Sequence, residues 1–176
     1  MHLKKLSARM LTITAAVGLA LGASSGSQAG TANSNLLVSA TVSANCSITT
    51  APVAFGAYDP VTANATTALT STGTVTVTCT TGSTGTITLG QGANPGGGST
   101  DLAPARQLKD AGTDVLAYSL SQDSGHTTVW GNTAGTGVAS LGTGTTTALT
   151  VYGSVAAGQN VPAGSYSDTV VATVTF

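Results

Sequence analysis

Few side chains in this 176-residue chain are equipped for chemistry. All six acids are Asp, and three of the five bases (Lys4, Lys5 and Arg9) fall within the first nine positions. A hydrolase needs a nucleophile, a base and an orienting group. His126 has Asp123 and Ser124 beside it, but residues so close in sequence do not converge as a triad, so it reads as a loop histidine. Paired carboxylates for glycoside chemistry would have to come from Asp in a loop-like stretch over 101–123. Asp101, Asp110 and Asp114 lack the spacing of a calcium loop. The glycine-rich run at 90–98 lacks the Lys-Ser/Thr of a phosphate loop. No catalytic, cofactor-binding or metal-binding set is therefore expected, and the chain reads as a non-enzyme. The seven aromatics are spread out, and Trp130, the only Trp, reads as a core or turn-packing residue.

The chemistry that remains is a disulfide. Cys46 and Cys79 are the only cysteines. An even count in an exported chain predicts a bridge, and only one pairing is possible. Closing a loop of about 34 residues is worth roughly 3.5–4 kcal/mol in the chain-entropy model. A metal or redox site would need more ligands than this spacing offers.

Export is read from the start of the chain. A basic segment, an apolar run over residues 10–23 and the small-residue site Ser27-Gln28-Ala29 follow one another as in a secretory signal peptide. The apolar run is shorter than the ~20 residues that span a membrane as a helix. Residues 1–29 are thus expected to be removed, leaving 30–176 as one domain with no membrane insertion. Only Arg106 and Lys109 then stand against six Asp. A chain left four charges negative has no basic patch for phosphates, so nucleic acid is excluded as a partner.

The elements that position these residues are strands. Charged residues make up 6 % of the chain, against about 25 % in an average soluble domain, and Thr, Gly, Ser, Ala and Val dominate. Residues 36–44 alternate, with Leu36, Val38, Ala40 and Val42 on one face, which predicts a half-buried strand. Residues 52–58 form a short apolar segment. Residues 73–80 alternate strictly with Val75, Val77 and Cys79 inward, and a turn over 82–85 predicts a hairpin over 75–89. The stretch 101–114 holds Asp101, Asp110, Asp114 and both remaining bases, and reads as a solvated excursion. Strands are expected at 115–121, 129–131, 147–155 and 166–176, with a loop or ragged edge over 132–146. In the last strand Tyr166, Val170, Ala172, Val174 and Phe176 share a face. Short strands with glycine-rich turns and no helical stripe beyond residue 29 imply a sandwich or barrel.

Several short patterns occur in order. An alternating strand runs into Cys46, then come Phe55-Gly56-Ala57-Tyr58, Val77-Thr78-Cys79-Thr80 and Arg106-Gln107-Leu108. Leu116-Ala117-Tyr118-Ser119-Leu120, Val129-Trp130-Gly131, Val151-Tyr152-Gly153 and Gly158-Gln159 follow. The chain closes with Gly164-Ser165-Tyr166-Ser167-Asp168-Thr169-Val170 and Thr173-Val174-Thr175-Phe176. Over about 42–176 this resembles the spore coat protein U-like family, which includes the pilins of archaic chaperone–usher pili. The resemblance implies an immunoglobulin-like β-sandwich lacking one strand, completed by a donor strand from a periplasmic chaperone and then from the next subunit. An outer-membrane usher would exchange the two, giving a head-to-tail fibre of identical or related subunits at the cell surface. That fibre would support attachment and biofilm formation. It also implies that residues 30–44 are the donor segment, with Leu36, Val38, Ala40 and Val42 as donor side chains. Val170, Ala172, Val174 and Phe176 would flank the acceptor groove and meet the chaperone. The alternative is a secreted, non-polymerising adhesin or spore-coat-type binding module.

Overall fold

The computed structural model describes residue 26 and residues 28–176. The predicted signal peptide therefore lies largely outside the described residues. Among the described residues no helix is long and apolar enough to cross a membrane. Residues up to 40 and residues 41–176 form separate units, and the fold below is that of the second.

Eight strands and one 3-10 turn (Ala134–Thr136) make up this unit. They are β1 (Cys46–Ala51), β2 (Leu69–Cys79), β3 (Thr84–Leu89), β4 (Arg106–Lys109), β5 (Val115–Ser121), β6 (Val138–Leu141), β7 (Thr146–Val155) and β8 (Ala172–Thr175). A five-stranded antiparallel sheet has the order β1-β2-β7-β5-β4, and a three-stranded one the order β6-β3-β8. Together they form the expected all-β, immunoglobulin-like sandwich. Between them lies the core of Val75, Val77, Ile87, Leu89, Leu120, Trp130 and Val151, each no more than 5 % exposed. Burying side chains of this size is worth about 1.5–3 kcal/mol apiece.

Alternation fixed which face of each long strand turns inward. In β2, Val75, Val77 and Cys79 are buried while Thr74, Thr76 and Thr78 face out. In β5, Leu116 and Leu120 are buried, and in β7 Val151 and Val155 are. The disulfide joins β1 to β2 at a directly paired position, Cys46 opposite Cys79. No free cysteine remains among the described residues.

Several expectations need correction. The predicted hairpin over 75–89 does not exist, because β2 and β3 belong to different sheets. Gly82, at φ 81°, turns the chain across the sandwich, where it bonds Gly142 rather than closing a ladder. Inward-facing alternation reads the same whether two strands pair side by side or face each other across a core. Residues 36–44 form no strand, and Leu36, Val38 and Val42 are 82–87 % exposed. The stretch 132–146, read as a loop or ragged edge, contains the four-residue edge strand β6. The stretch 101–114 is not simply solvated: Arg106 begins β4 and is 1 % exposed.

Candidate functional site

Segment 52–58 leaves β1 without joining a ladder. It crosses the inner face of the large sheet where β2 and β7 carry glycine. A Cβ at Gly73 would lie 2.7 Å from Val53 Cγ2, and one at Gly153 2.8 Å from Phe55 Cζ. Val53 and Phe55 thus occupy room that side chains on the sheet would fill. Phe55 also meets the Tyr118 ring edge-on, with centroids 6.0 Å apart.

The C-terminal segment forms the opposite wall. Ser167 and Lys109 exchange backbone bonds of 2.9 Å, which places this segment beside β4 of the large sheet. The chain then crosses over, Gly90 N donating to Val171 O at 2.9 Å, and ends as β8 on β3 of the small sheet. The predicted single strand over 166–176 is therefore a sheet-switching segment whose ladder is confined to Ala172–Thr175. Val170, Ala172 and Val174 are half-buried against the core, while Phe176 is 54 % exposed.

Asp168 holds that crossing. Its Oδ1 accepts from Ala93 N (2.9 Å), Asn94 N (3.2 Å) and Asn94 Nδ2 (3.1 Å), and its Oδ2 from Tyr118 OH (2.7 Å). Gly92, at φ 89°, lies so close to this carboxylate that no side chain would fit there. Burial first, and then the bond to Asp168, push the Tyr118 phenol well above its ordinary range.

Between the two walls runs an open groove. One section, of about 310 Å³, has core residues Val75, Leu89, Leu120 and Val151 as its floor and β1, Val170 and Ala172 at its rim. A second section, of about 740 Å³, continues over Leu69, Leu108, Leu116 and Val155 between segments 53–61 and 160–168. Val53, Phe55, Leu108 and Asp168 border both sections. β1 and β8 approach within 8 Å Cα–Cα, yet neither pairs with the other and each is the outer strand of its sheet. Each thus offers a row of backbone N–H and C=O groups to an incoming strand. The arrangement suits binding an extended peptide with alternating apolar residues.

The opposite flank is closed by side chains reaching backbone. Arg106 Nε donates to Gly90 O (2.9 Å), and Nη2 donates to Leu89 O and Trp130 O (2.8 Å each). Trp130 Nε1 donates to Ile87 O at 2.9 Å. Burial lowers the Arg106 pKa, and the nearby Tyr118 and Asp168 oppose that shift. Sequence reasoning missed Arg106 because it grouped the residue with its charged neighbours. The signal available was its place directly before an alternating Leu108. Tyr58 ties in the groove's far end: its hydroxyl donates to Ala156 O (2.8 Å) and accepts from Gln159 N (2.9 Å). The quoted motifs Phe55–Tyr58, Arg106, Tyr118, Trp130, Gln159 and Asp168 thus shape the groove and its closure.

His126 sits in a turn at φ 53°, its ring edge-on to Tyr152 at 6.4 Å. Asp123 accepts the Thr128 and Thr127 backbone N–H groups, which hold its pKa down at about 2. These residues form a closed turn and no triad with Ser124. No group of three or more metal-ligating side chains occurs among the described residues.

The family model of the Spore Coat Protein U domain matches residues 32–173. The chain belongs to the Spore Coat Protein U domain family. Protein U of Myxococcus xanthus is 44 % identical over 171 residues, covering 93 % of this chain and 94 % of that protein. The fold is similar to a chain in the crystal structure of the CsuC–CsuE chaperone–tip adhesion subunit pre-assembly complex from archaic chaperone-usher Csu pili of Acinetobacter baumannii. The TM-score is 0.54 at 22 % identity, over 77 % of this chain and 40 % of that one. A Spore Coat Protein U domain with one flank open is thus the setting in which the groove must be understood.

Proposed function

We propose that this protein is a structural pilus subunit that polymerises by donor-strand exchange on a chaperone–usher pathway. The observation that carries the reading is the groove: its floor is the hydrophobic core, and its two bordering strands, β1 and β8, are unpaired with each other. A strand inserted there would cover apolar surface and pair backbone edges at once. In this reading the donor is residues 30–44 of the next subunit, with Leu36, Val38, Ala40 and Val42 facing the groove. These side chains stand exposed on a segment that forms no strand of its own. Before polymerisation a periplasmic chaperone fills the groove along Val170, Ala172, Val174 and Phe176, and an outer-membrane usher exchanges it. The interface is head-to-tail, so growth gives an open fibre on the cell surface, used for attachment and biofilm. Signal-peptide removal after residue 29 exposes the donor segment. The Csu complex supports a chaperone partner, as a solved example of this fold in a chaperone–subunit assembly.

The test is Val38→Asp, with the chain co-expressed with its chaperone and usher. A buried, unpaired carboxylate is strongly unfavourable. The expected variant co-purifies with the chaperone at wild-type yield and forms no surface fibres. Wild-type fibre counts would remove residue 38 from the donor role. A wild-type chain that is secreted monomeric, stable and free of chaperone would favour the non-polymerising coat or adhesin module, to which the 44 % identity with Protein U lends weight.

A further inference from the structure

The groove and the segment proposed to fill it belong to one chain, so each subunit carries a strand that could close its own groove. β1 is the outer strand of its sheet, and residues 30–45 lead directly into it. A hairpin back along the free edge of β1 would be enough. Side-chain alternation decides which hairpin works, because a shift of one residue turns the other face inward. A two-residue loop at 44–45 pairs Ser43 with Cys46. It would then turn Leu37, Ser39 and Thr41 inward alongside Cys46 and Ile48, which pack against the core. A three-residue loop at 43–45 pairs Val42 with Cys46, Ala40 with Ile48 and Val38 with Thr50, and so turns the apolar face inward. Such a loop ends in a left-handed residue, here Asn45, and Asn is one of the few residues that take that conformation readily.

Asn45 is held in the other state. The chain makes no turn from 41 to 45. Among the described residues the one non-glycine residue at positive φ is His126, not Asn45. Thr80, next to the bridged Cys79, does the holding. Asn45 N donates to Thr80 Oγ1 at 3.1 Å, and Thr80 N donates to Asn45 O at 2.9 Å. The Thr80 hydroxyl also lies within reach of Asn45 O (3.3 Å) and Ser43 O (3.5 Å). Both backbone groups of Asn45 are thus taken on the β2 side, away from the free edge of β1. We infer that Thr80 is a positioning residue for assembly: by holding Asn45 extended, it keeps residues 36–42 out of the subunit's own groove and available to a neighbour. The inference rests on the polymerisation reading. A subunit closed on itself would have neither a free groove nor a free donor, and fibre growth would stop at it.

The experiment unfolds the oxidised chain from residue 30 in guanidinium and refolds it without chaperone, with size-exclusion chromatography and light scattering as the readout. The probe is Asn45→Gly with Thr80→Val. The first change favours the left-handed loop residue, and the second removes the hydroxyl at nearly constant volume. Asn45 is exposed and Thr80 half-buried, so the fold tolerates both. Wild type should yield little folded monomer and the probe at least tenfold more. Adding Val38→Asp to the probe should abolish that monomer, because the gain comes from the chain's own segment. Thr80→Ser, which keeps the hydroxyl, should behave as wild type. Equal monomer yields for probe and wild type would overturn the inference, as would a probe monomer that tolerates Val38→Asp. A wild-type monomer that Val38→Asp destroys would overturn it too, since the segment would then close on its own subunit with Thr80 in place. A wild-type monomer indifferent to Val38→Asp would instead sink the polymerisation reading, because its groove would need no donor.

Discussion

The two flanks of the sandwich solve one problem in opposite ways. On the Arg106 flank the sheets are joined by side chains that reach across to backbone carbonyls, and Trp130 fills the space between them. On the β1–β8 flank the outer strands do not pair with each other, and their edges are left open. The first flank turns Arg106 Nε and Nη2 and Trp130 Nε1 onto carbonyls of the same chain, leaving only Arg106 Nη1 without a partner, whereas the second leaves backbone edges and core side chains open. One substitution should therefore mean different things on the two sides. In the proposed reading, a change at the closed flank would weaken every state of the subunit, whereas a change at residues 36–42 would weaken only the assembled state.

The largest effect is expected at Trp130. Trp130→Ala should cost about 3–5 kcal/mol, because it removes a side chain 1 % exposed and its bond to Ile87 O. The chaperone-bound subunit and the fibre should be lost together, measured as soluble complex yield and fibre count. If only fibre were lost, the closed flank would also belong to assembly and the distinction would fail. Next comes the bridge between the edge strand and its neighbour. Cys46→Ser should cost about 2–5 kcal/mol, and the chaperone complex should unfold at lower denaturant concentration in titrations. An unchanged midpoint would show that β1 holds its place without the covalent tie.

The smallest effect tests where the two flanks meet. Folding raises the Tyr118 phenol above its ordinary value, so its contribution is fully present below about pH 10 and is lost as pH climbs beyond that. Of the alkaline absorbance change of the four tyrosines, the part owed to Tyr118 should appear only with loss of the fold. Comparison with Tyr118→Phe isolates that part, and its appearance before unfolding would contradict the burial of this hydroxyl.

Strand identity was legible in β2, β5 and β7, because alternation over seven or more residues states which side chains turn inward. Sheet membership was not, as the false hairpin over 75–89 shows: Val77 and Ile87 both face the core, but from opposite sheets. β6 went unread because its four residues, Val138–Leu141, are too short to establish a period. The groove itself could not be read from periodicity, since an unpaired edge has the same side-chain pattern as a paired one. Its architecture entered through the resemblance carried by Phe55, Tyr118, Asp168 and the other motif residues. Arg106 was misread for a different reason. Charge predicts exposure only where no carbonyls are oriented to receive it, and orientation is a property of the folded chain.

The position of the disulfide has a mechanical consequence. Cys46 is the first residue of the edge strand, and its covalent partner lies at the end of the central β2. If tension enters a subunit from its N-terminal side, it meets the bridge at the first strand and passes directly to Cys79. The 33-residue separation between the two cysteines is then bypassed. That stretch, which includes β1, segment 52–58 and most of β2, cannot be drawn out, and roughly 110 Å of slack is withheld from each subunit at about 3.4 Å per residue. One wall of the groove would stay intact under a load that strips the unbridged C-terminal wall.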